Sequence, residues 1–238
     1  MIEVKELNLK LGKNNILKNI SLKVEPNKIY GLLGRNGAGK TTLLNAIVGG
    51  FSETKGIIKI NEINPYVDGA VLNNVCIVRE NIIKPLLTSK VQDYFKSYSI
   101  LYPKFDMNLA IKLAAHFKIN LKCIFNNLSR GMQTMVINIV GICSMADILI
   151  FDEPTIGMDA QNRAEFYEIL LEHFATHQQT IIISTHQIDE TQNLFNHVFI
   201  INKGELIVDS EIDELECKPT ELQDYFINLT KEGEFIYE

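Results

Sequence analysis

Residues 34 to 42 read GRNGAGKTT, a lysine and two threonines set among three glycines. The stretch fits the spacing G-x-x-x-x-G-K-[ST], in which a glycine-rich turn lets successive backbone N–H groups wrap phosphate oxygens. Gly34, Asn36, Gly37, Ala38, Gly39, Lys40, Thr41 and Thr42 make up the expected cradle. A helix beginning near Lys40 adds the positive end of its dipole. In such a loop Lys40 reaches the β- and γ-phosphates of a nucleoside triphosphate, and the Thr41 hydroxyl faces Mg²⁺. The bare pattern arises by chance about once in a hundred chains of this size, so its context decides. That context is the buried-strand run IYGLL at 29 to 33, directly before the loop.

A second group of residues fits the same chemistry. ILIFDEP, at 148 to 154, is an apolar strand that runs into Asp152 and Glu153. Such a strand delivers both carboxylates to the edge of the sheet where ligands of open α/β folds sit. Asp152 suits the outer shell of Mg²⁺, and Glu153 suits the orientation or deprotonation of an attacking water. These pieces imply a nucleoside triphosphatase, a description that P-loop kinases and GTPases also meet. Three further stretches narrow it: TIGMD at 155 to 159, IIISTH at 181 to 186 and LSRGMQ at 128 to 133. In the last, Ser129 stands where a helix begins, so it suits both capping and anion binding, which use the same free N–H groups.

The elements that must position these residues alternate between strand and helix. Short strands, with turns at Gly12 to Asn15 and at Pro26-Asn27, open the chain, and GIIKI (56–60) and VCIV (75–78) add two more. ILIF, IIIS (181–184) and VFII (198–201) have the length and β-branching of buried parallel strands. Helices over roughly 160–175 and 187–196 are expected as crossovers. Val91, Tyr94, Phe95, Tyr98, Leu101, Tyr102 and Phe105 recur at helical spacing. Their rings either pack a helical lobe or line a groove for a partner. The pattern predicts an α/β sheet core with a β-rich N-terminal edge and an inserted helical lobe.

Composition bounds the rest. The chain has 238 residues, 46% hydrophobic and 22% charged, with a net charge of −6. That balance argues against a broad nucleic-acid surface, which needs clustered Lys and Arg. Cys76, Cys123, Cys143 and Cys217 have no metal-ligand spacing and read as reduced thiols of a cytosolic protein. MIEVKELNLK reads as a strand from its first residues, with no signal-peptide core expected. The longest apolar stretch, 135–151, is interrupted by Asn138, Ser144 and Asp147, and reads as a buried helix followed by a buried strand.

With these motifs in this order, the sequence resembles the nucleotide-binding subunit of ABC transporters over essentially its whole length. The resemblance implies a P-loop NTPase sheet core with a β-rich N-terminal subdomain and an inserted helical lobe. It divides a single domain, 1–238, into an ATP-binding core (1–85 and 144–210), a lobe bearing the signature (86–143) and a tail (211–238). By the same resemblance His186 contacts the γ-phosphate and Asp159 signals across a dimer interface. Leu128, Ser129 and Gly131 keep the LSGGQ signature, whose serine and helix start grip the nucleotide on the P-loop of the other subunit. Arg130 and Met132 depart from it.

Glu80, in VCIVREN, stands where the family has a glutamine that meets Mg²⁺ and water. Leu11 stands where most relatives stack an aromatic ring on adenine, so weaker base selectivity is expected. The implied function is ATP binding and hydrolysis that powers transport, with ATP and Mg²⁺ as cofactors. The implied partners are a second ATPase subunit, identical or homologous, joined head to tail, and an integral membrane subunit; no nucleic acid is expected. The implied location is cytoplasmic, peripheral on the inner face of the cell membrane. FDEPTIGMD and the tail stretch LQDYFINLT resemble exporter-type drug, peptide and antibiotic-resistance ATPases. A soluble ABC-type ATPase acting on ribosomes or protein assembly is the alternative.

Overall fold

Alternation along the buried strands builds two cores on opposite faces of one sheet. The structure, a computed structural model, describes residues 1–52, 54–79 and 88–231. β1 (Ile2–Leu11), β2 (Asn14–Val24), β3 (Ile29–Leu33), β4 (Lys55–Ile60), β5 (Val75–Val78), β6 (Ile148–Asp152), β7 (Thr180–Thr185), β8 (His197–Asn202) and β9 (Glu205–Glu211) are its strands. The larger sheet runs β5-β6-β7-β3-β8-β9. Its pairs are parallel up to β8, and β9 returns antiparallel. Successive side chains on a strand point to opposite faces. Ile29, Leu33, Leu149, Phe151, Ile181 and Ile183 therefore enter one core, and Tyr30, Leu32, Ile148, Ile150 and Ile182 the other.

The second core is closed by α1 (Lys40–Ile47) and by a separate antiparallel sheet in the order β2-β1-β4. The β-rich start of the chain is thus a sheet of its own and not an edge of the large one. Glu6, at φ +49, lies within a register shift that changes the alternation of β1, so that Ile2, Val4, Leu7 and Leu9 are all buried.

The first core is covered by α2 (Val91–Leu101), α3 (Met107–His116), α4 (Arg130–Cys143) and α5 (Ala160–His177), and α6 (Leu222–Thr230) adds Leu222 and Phe226. The aromatic stretch is packing: Val91, Tyr94, Phe95 and Tyr98 are buried, and Tyr94 stacks on Phe125 with centroids 5.0 Å apart. Ile100 and Leu101 stay exposed. Among the described residues, no helix is long and apolar enough to cross a membrane.

One local expectation fails, and one strand was not foreseen. Residues 187–196 form turns, not a helix. The buried Thr191 hydroxyl donates to the Gln187 and Ile188 carbonyls at 3.2 and 3.3 Å, and Asn196 is tied to β3 through Ile29 by two bonds of 2.8 Å. Side chains that take backbone groups in this way compete with a helical ladder. The strand β9 has no counterpart in the sequence reading. It follows β8 through Lys203-Gly204, both at positive φ (49° and 82°), the signature of a two-residue hairpin turn. Gly204 is buried; its N–H donates to Ala38 at 2.9 Å, and its carbonyl accepts from Lys18 at 2.8 Å.

Candidate active site

β3 ends at Leu33, and from Gly34 the phosphate loop carries the chain to α1. A side chain on Gly34 would stand 2.7 Å from the Ile201 carbonyl, so the loop can lie against β8 only with glycine there. Gly37 and Gly39 lie at φ +80 and +113, a region open to glycine. No side chain caps the start of α1, so its N–H groups remain available to an anion.

Lys40 is 6% exposed. Its Nζ donates to the Gly34 carbonyl at 2.7 Å and to the Arg35 carbonyl at 3.4 Å, and pairs with Glu153 Oε1 at 3.2 Å. Asn36, Gly37, Gly39, Lys40, Thr41 and Thr42 line a cavity of about 350 Å³ together with Arg35, Ile16 and Glu153. A second cavity, of about 620 Å³, borders the loop at Ala38 and includes His186 and Phe226 of α6. A cradle of backbone, one buried cation and an open cavity suit a triphosphate.

Asp152 and Glu153 arrive together at the end of β6. Ser184, on the neighbouring strand β7, donates its hydroxyl to the buried Asp152 carboxylate. Glu153 N–H donates to the Ser184 carbonyl at 3.0 Å. The Glu153 side chain lies between Lys40 and His186, whose Nδ1 is 2.8 Å from Oε2. Its backbone sits at φ +53, a strained position for a non-glycine residue, of the kind that concentrates at functional sites. The oxygens of Thr41 and Asp152 are the donor type a hard divalent cation takes. Glu80 lies outside the described residues.

The signature residues form a separate group. Ser129 caps α4, its hydroxyl accepting from Met132 N–H at 3.3 Å. A side chain on Gly131 would stand 2.4 Å from the Gly157 carbonyl, so the helix start touches the loop after Glu153 backbone to backbone. Asp159 caps α5: its carboxylate accepts from the Asn162 N–H at 2.9 Å and from the Asn162 side chain at 2.7 Å. Those bonds hold its carboxyl below the ordinary carboxylate range. Ser129, Gly131 and Asp159 line one cavity of about 580 Å³, and that cavity shares no residue with those beside the phosphate loop.

The structure therefore gathers Gly34 to Thr42, Asp152, Glu153 and His186 in one place, and Ser129, Gly131 and Asp159 in another. Leu11, at the end of β1, is half-exposed and borders none of these cavities. Ile16 does, and the sequence reading missed it because its neighbours come from distant parts of the chain.

A family profile described as ABC transporter matches residues 17–156. The zinc uptake system ATP-binding protein ZurA of Listeria monocytogenes is 29% identical over 233 residues, covering 91% of this chain and 88% of that one. The lantibiotic transport ATP-binding protein SrtF of Streptococcus pyogenes is 28% identical over 220 residues, covering 91% and 93%. A solved ATP-binding subunit of an ABC transporter superposes with a TM-score of 0.84 at 20% identity, over 97% of this chain and 99% of that one, which speaks for the fold. With more than half of its length inside the family profile, the chain belongs to the ABC transporter family, as an ATP-binding subunit that hydrolyses ATP in the service of transport.

Proposed function

We propose that this ATPase works as one of two subunits joined head to tail, each completing the other's nucleotide site. One observation carries the reading: the chain holds two places suited to an anion, and they line cavities with no residue in common. Lys40 and the loop N–H groups bind the phosphates of one ATP. Ser129, Gly131 and Asp159 close over the ATP of the neighbour.

Thr41 and Asp152 would hold Mg²⁺, and Glu80 is a further candidate; the ion offsets negative charge on the phosphates when bound. Glu153 orients the attacking water and takes its proton. His186 holds the Glu153 carboxylate on one side, and Lys40 exchanges its bond to Glu153 for one to phosphate. Water attacks directly, with no covalent enzyme intermediate. Leu11 and Ile16 offer the base apolar contact in place of a ring.

The subunit drives a separate integral membrane protein from the cytoplasmic face. FDEPTIGMD and the tail favour export; relatives named for zinc uptake and for lantibiotic transport are about equally similar, so similarity does not choose a direction.

Mixing two inactive proteins tests the shared site. Ser129→Ala and Lys40→Ala, allowed to exchange subunits, rebuild one whole site in each mixed dimer. Losing one transition-state contact to a charged group lowers the rate by about 10²- to 10³-fold, so recovered turnover stands well above either variant alone. A mixture of wild type with Lys40→Ala first establishes that a dimer with a single good site turns over. With that control active, no recovery in the double mixture refutes the shared site.

A further inference from the structure

The apolar stretch 135–151 is interrupted by Asn138, a residue that neither nucleotide binding nor transport has so far used. It sits in the middle of α4 and is 0% exposed. An amide persists in such a place only with hydrogen bonds to offset its desolvation. Its Nδ2 donates to the Pro154 carbonyl at 2.6 Å. One turn earlier on the same face, Thr134 donates its hydroxyl to the Ile156 carbonyl at 3.0 Å and to Arg130 of its own helix at 3.0 Å. Arg163 of α5 donates to the Met158 carbonyl at 3.1 Å. Alternate carbonyls of the loop between Glu153 and Asp159 are thus each held by a side chain, two of them from α4.

We propose that Asn138 and Thr134 are positioning residues for Glu153, tying the backbone beside that carboxylate to the helix that Ser129 caps. The left-handed conformation of Glu153 survives only where its surroundings fix it, and the bond to the Pro154 carbonyl holds the peptide that follows Pro154, one residue beyond Glu153. The Oδ1 of Asn138 has no partner among the described residues, and Asn138 borders a cavity of about 10 Å³ with Asp152 and Glu153. That space is on the order of one water molecule. A shift of α4 when Ser129 engages a nucleotide is passed through these two bonds to Glu153. The proposal rests on the roles given above to Glu153 and Ser129.

The test measures ATP hydrolysis against ATP concentration, together with ATP affinity and melting temperature, in the full-length protein. Asn138→Leu removes the amide, and Thr134→Val removes the hydroxyl while keeping the shape. Thr134→Ser keeps the hydroxyl and loses the methyl. Misplacing a catalytic group by about 1 Å can lower a rate by about 10²-fold. The expected falls in kcat are about tenfold for Asn138→Leu and about threefold for Thr134→Val, with KM and ATP affinity within about twofold of wild type. Thr134→Ser should recover the wild-type kcat.

A role in packing alone would make Thr134→Ser the worse of the two threonine variants. Wild-type kcat in both Asn138→Leu and Thr134→Val, or Thr134→Ser no better than Thr134→Val, overturns the proposal. If Asn138→Leu does not fold, the threonine pair decides. Glu153→Gln, assayed alongside, separates the two readings: turnover in that variant sinks the role of Glu153 itself. A dead Glu153→Gln beside full-rate Asn138→Leu and Thr134→Val sinks only the positioning.

Discussion

Lys40 and Ser129 both stand at helix starts, yet their surroundings differ. Lys40 is buried and held by two carbonyls and a carboxylate drawn from two strand ends. Ser129 is exposed, and among the described residues its hydroxyl is satisfied by its own helix. Asp159, its companion, is also exposed and among the described residues bonds to the first turn of its own helix. One half of the machinery is assembled by long-range packing within the chain, and the other is satisfied locally and open outward. The contrast separates a phosphate loop that the fold finishes by itself from a signature face that stays open outward, the face that the proposed second subunit would cover.

The largest expected effect falls on the assembled half. Replacing Glu153 with Gln removes the proposed base and should lower turnover by about 10²- to 10⁴-fold while ATP still binds. Size-exclusion chromatography with ATP should then find an accumulated dimer. Turnover at the wild-type rate would place the base elsewhere and erase the contrast.

A smaller effect is expected on the open half from Gly131→Ala. The added methyl meets the Gly157 carbonyl at 2.4 Å, and overpacking of this kind destabilises by about 1 to 3 kcal/mol. Thermal denaturation should reveal the loss, and nucleotide affinity of the isolated subunit should be unchanged, because the phosphate loop lies elsewhere. A fall in that affinity would mean that the two halves are not separate within one chain.

The smallest effect is expected at the end of β1. Leu11→Tyr should tighten ATP binding by at most about 1 kcal/mol, since a ring adds stacking that leucine lacks. Titration of ATP against inosine triphosphate measures it. No change would leave Ile16, which lines the phosphate cavity, as the apolar contact of the base.

What could be read in advance follows the same division. The phosphate loop, Asp152 and Glu153 were legible because strand, loop and helix signals sit beside the chemistry in the sequence. The α/β order and the helical lobe were legible through hydrophobic period. Failures came where distant residues overrule local pattern. Residues 187–196 carry apolar positions that suit a helix, but Asn196 bonds to Ile29, across 167 positions of chain, and the turn form wins. The strand β9 could have been found from NKGELIVD, in which Lys-Gly supplies a hairpin turn and a short apolar run with β-branched Ile207 and Val208 follows. The carbonyl contacts of Asn138 and Thr134 had only one sequence signal, a polar residue where the apolar run should have continued.

The Lys203-Gly204 turn bears on protein engineering. Two-residue hairpin tips are ordinary places to splice an affinity tag or a reporter, because exposed tips tolerate added sequence. Here the tip is an anchor: the Gly204 N–H is bound to Ala38 in the phosphate loop, and its carbonyl to Lys18 in β2. An insertion would break both bonds and unseat the loop from the small sheet. The hairpin at Gly12, where an added Cβ meets nothing within 4 Å, carries no such attachment at that glycine among the described residues, although a graft there would sit between Leu11 and Ile16.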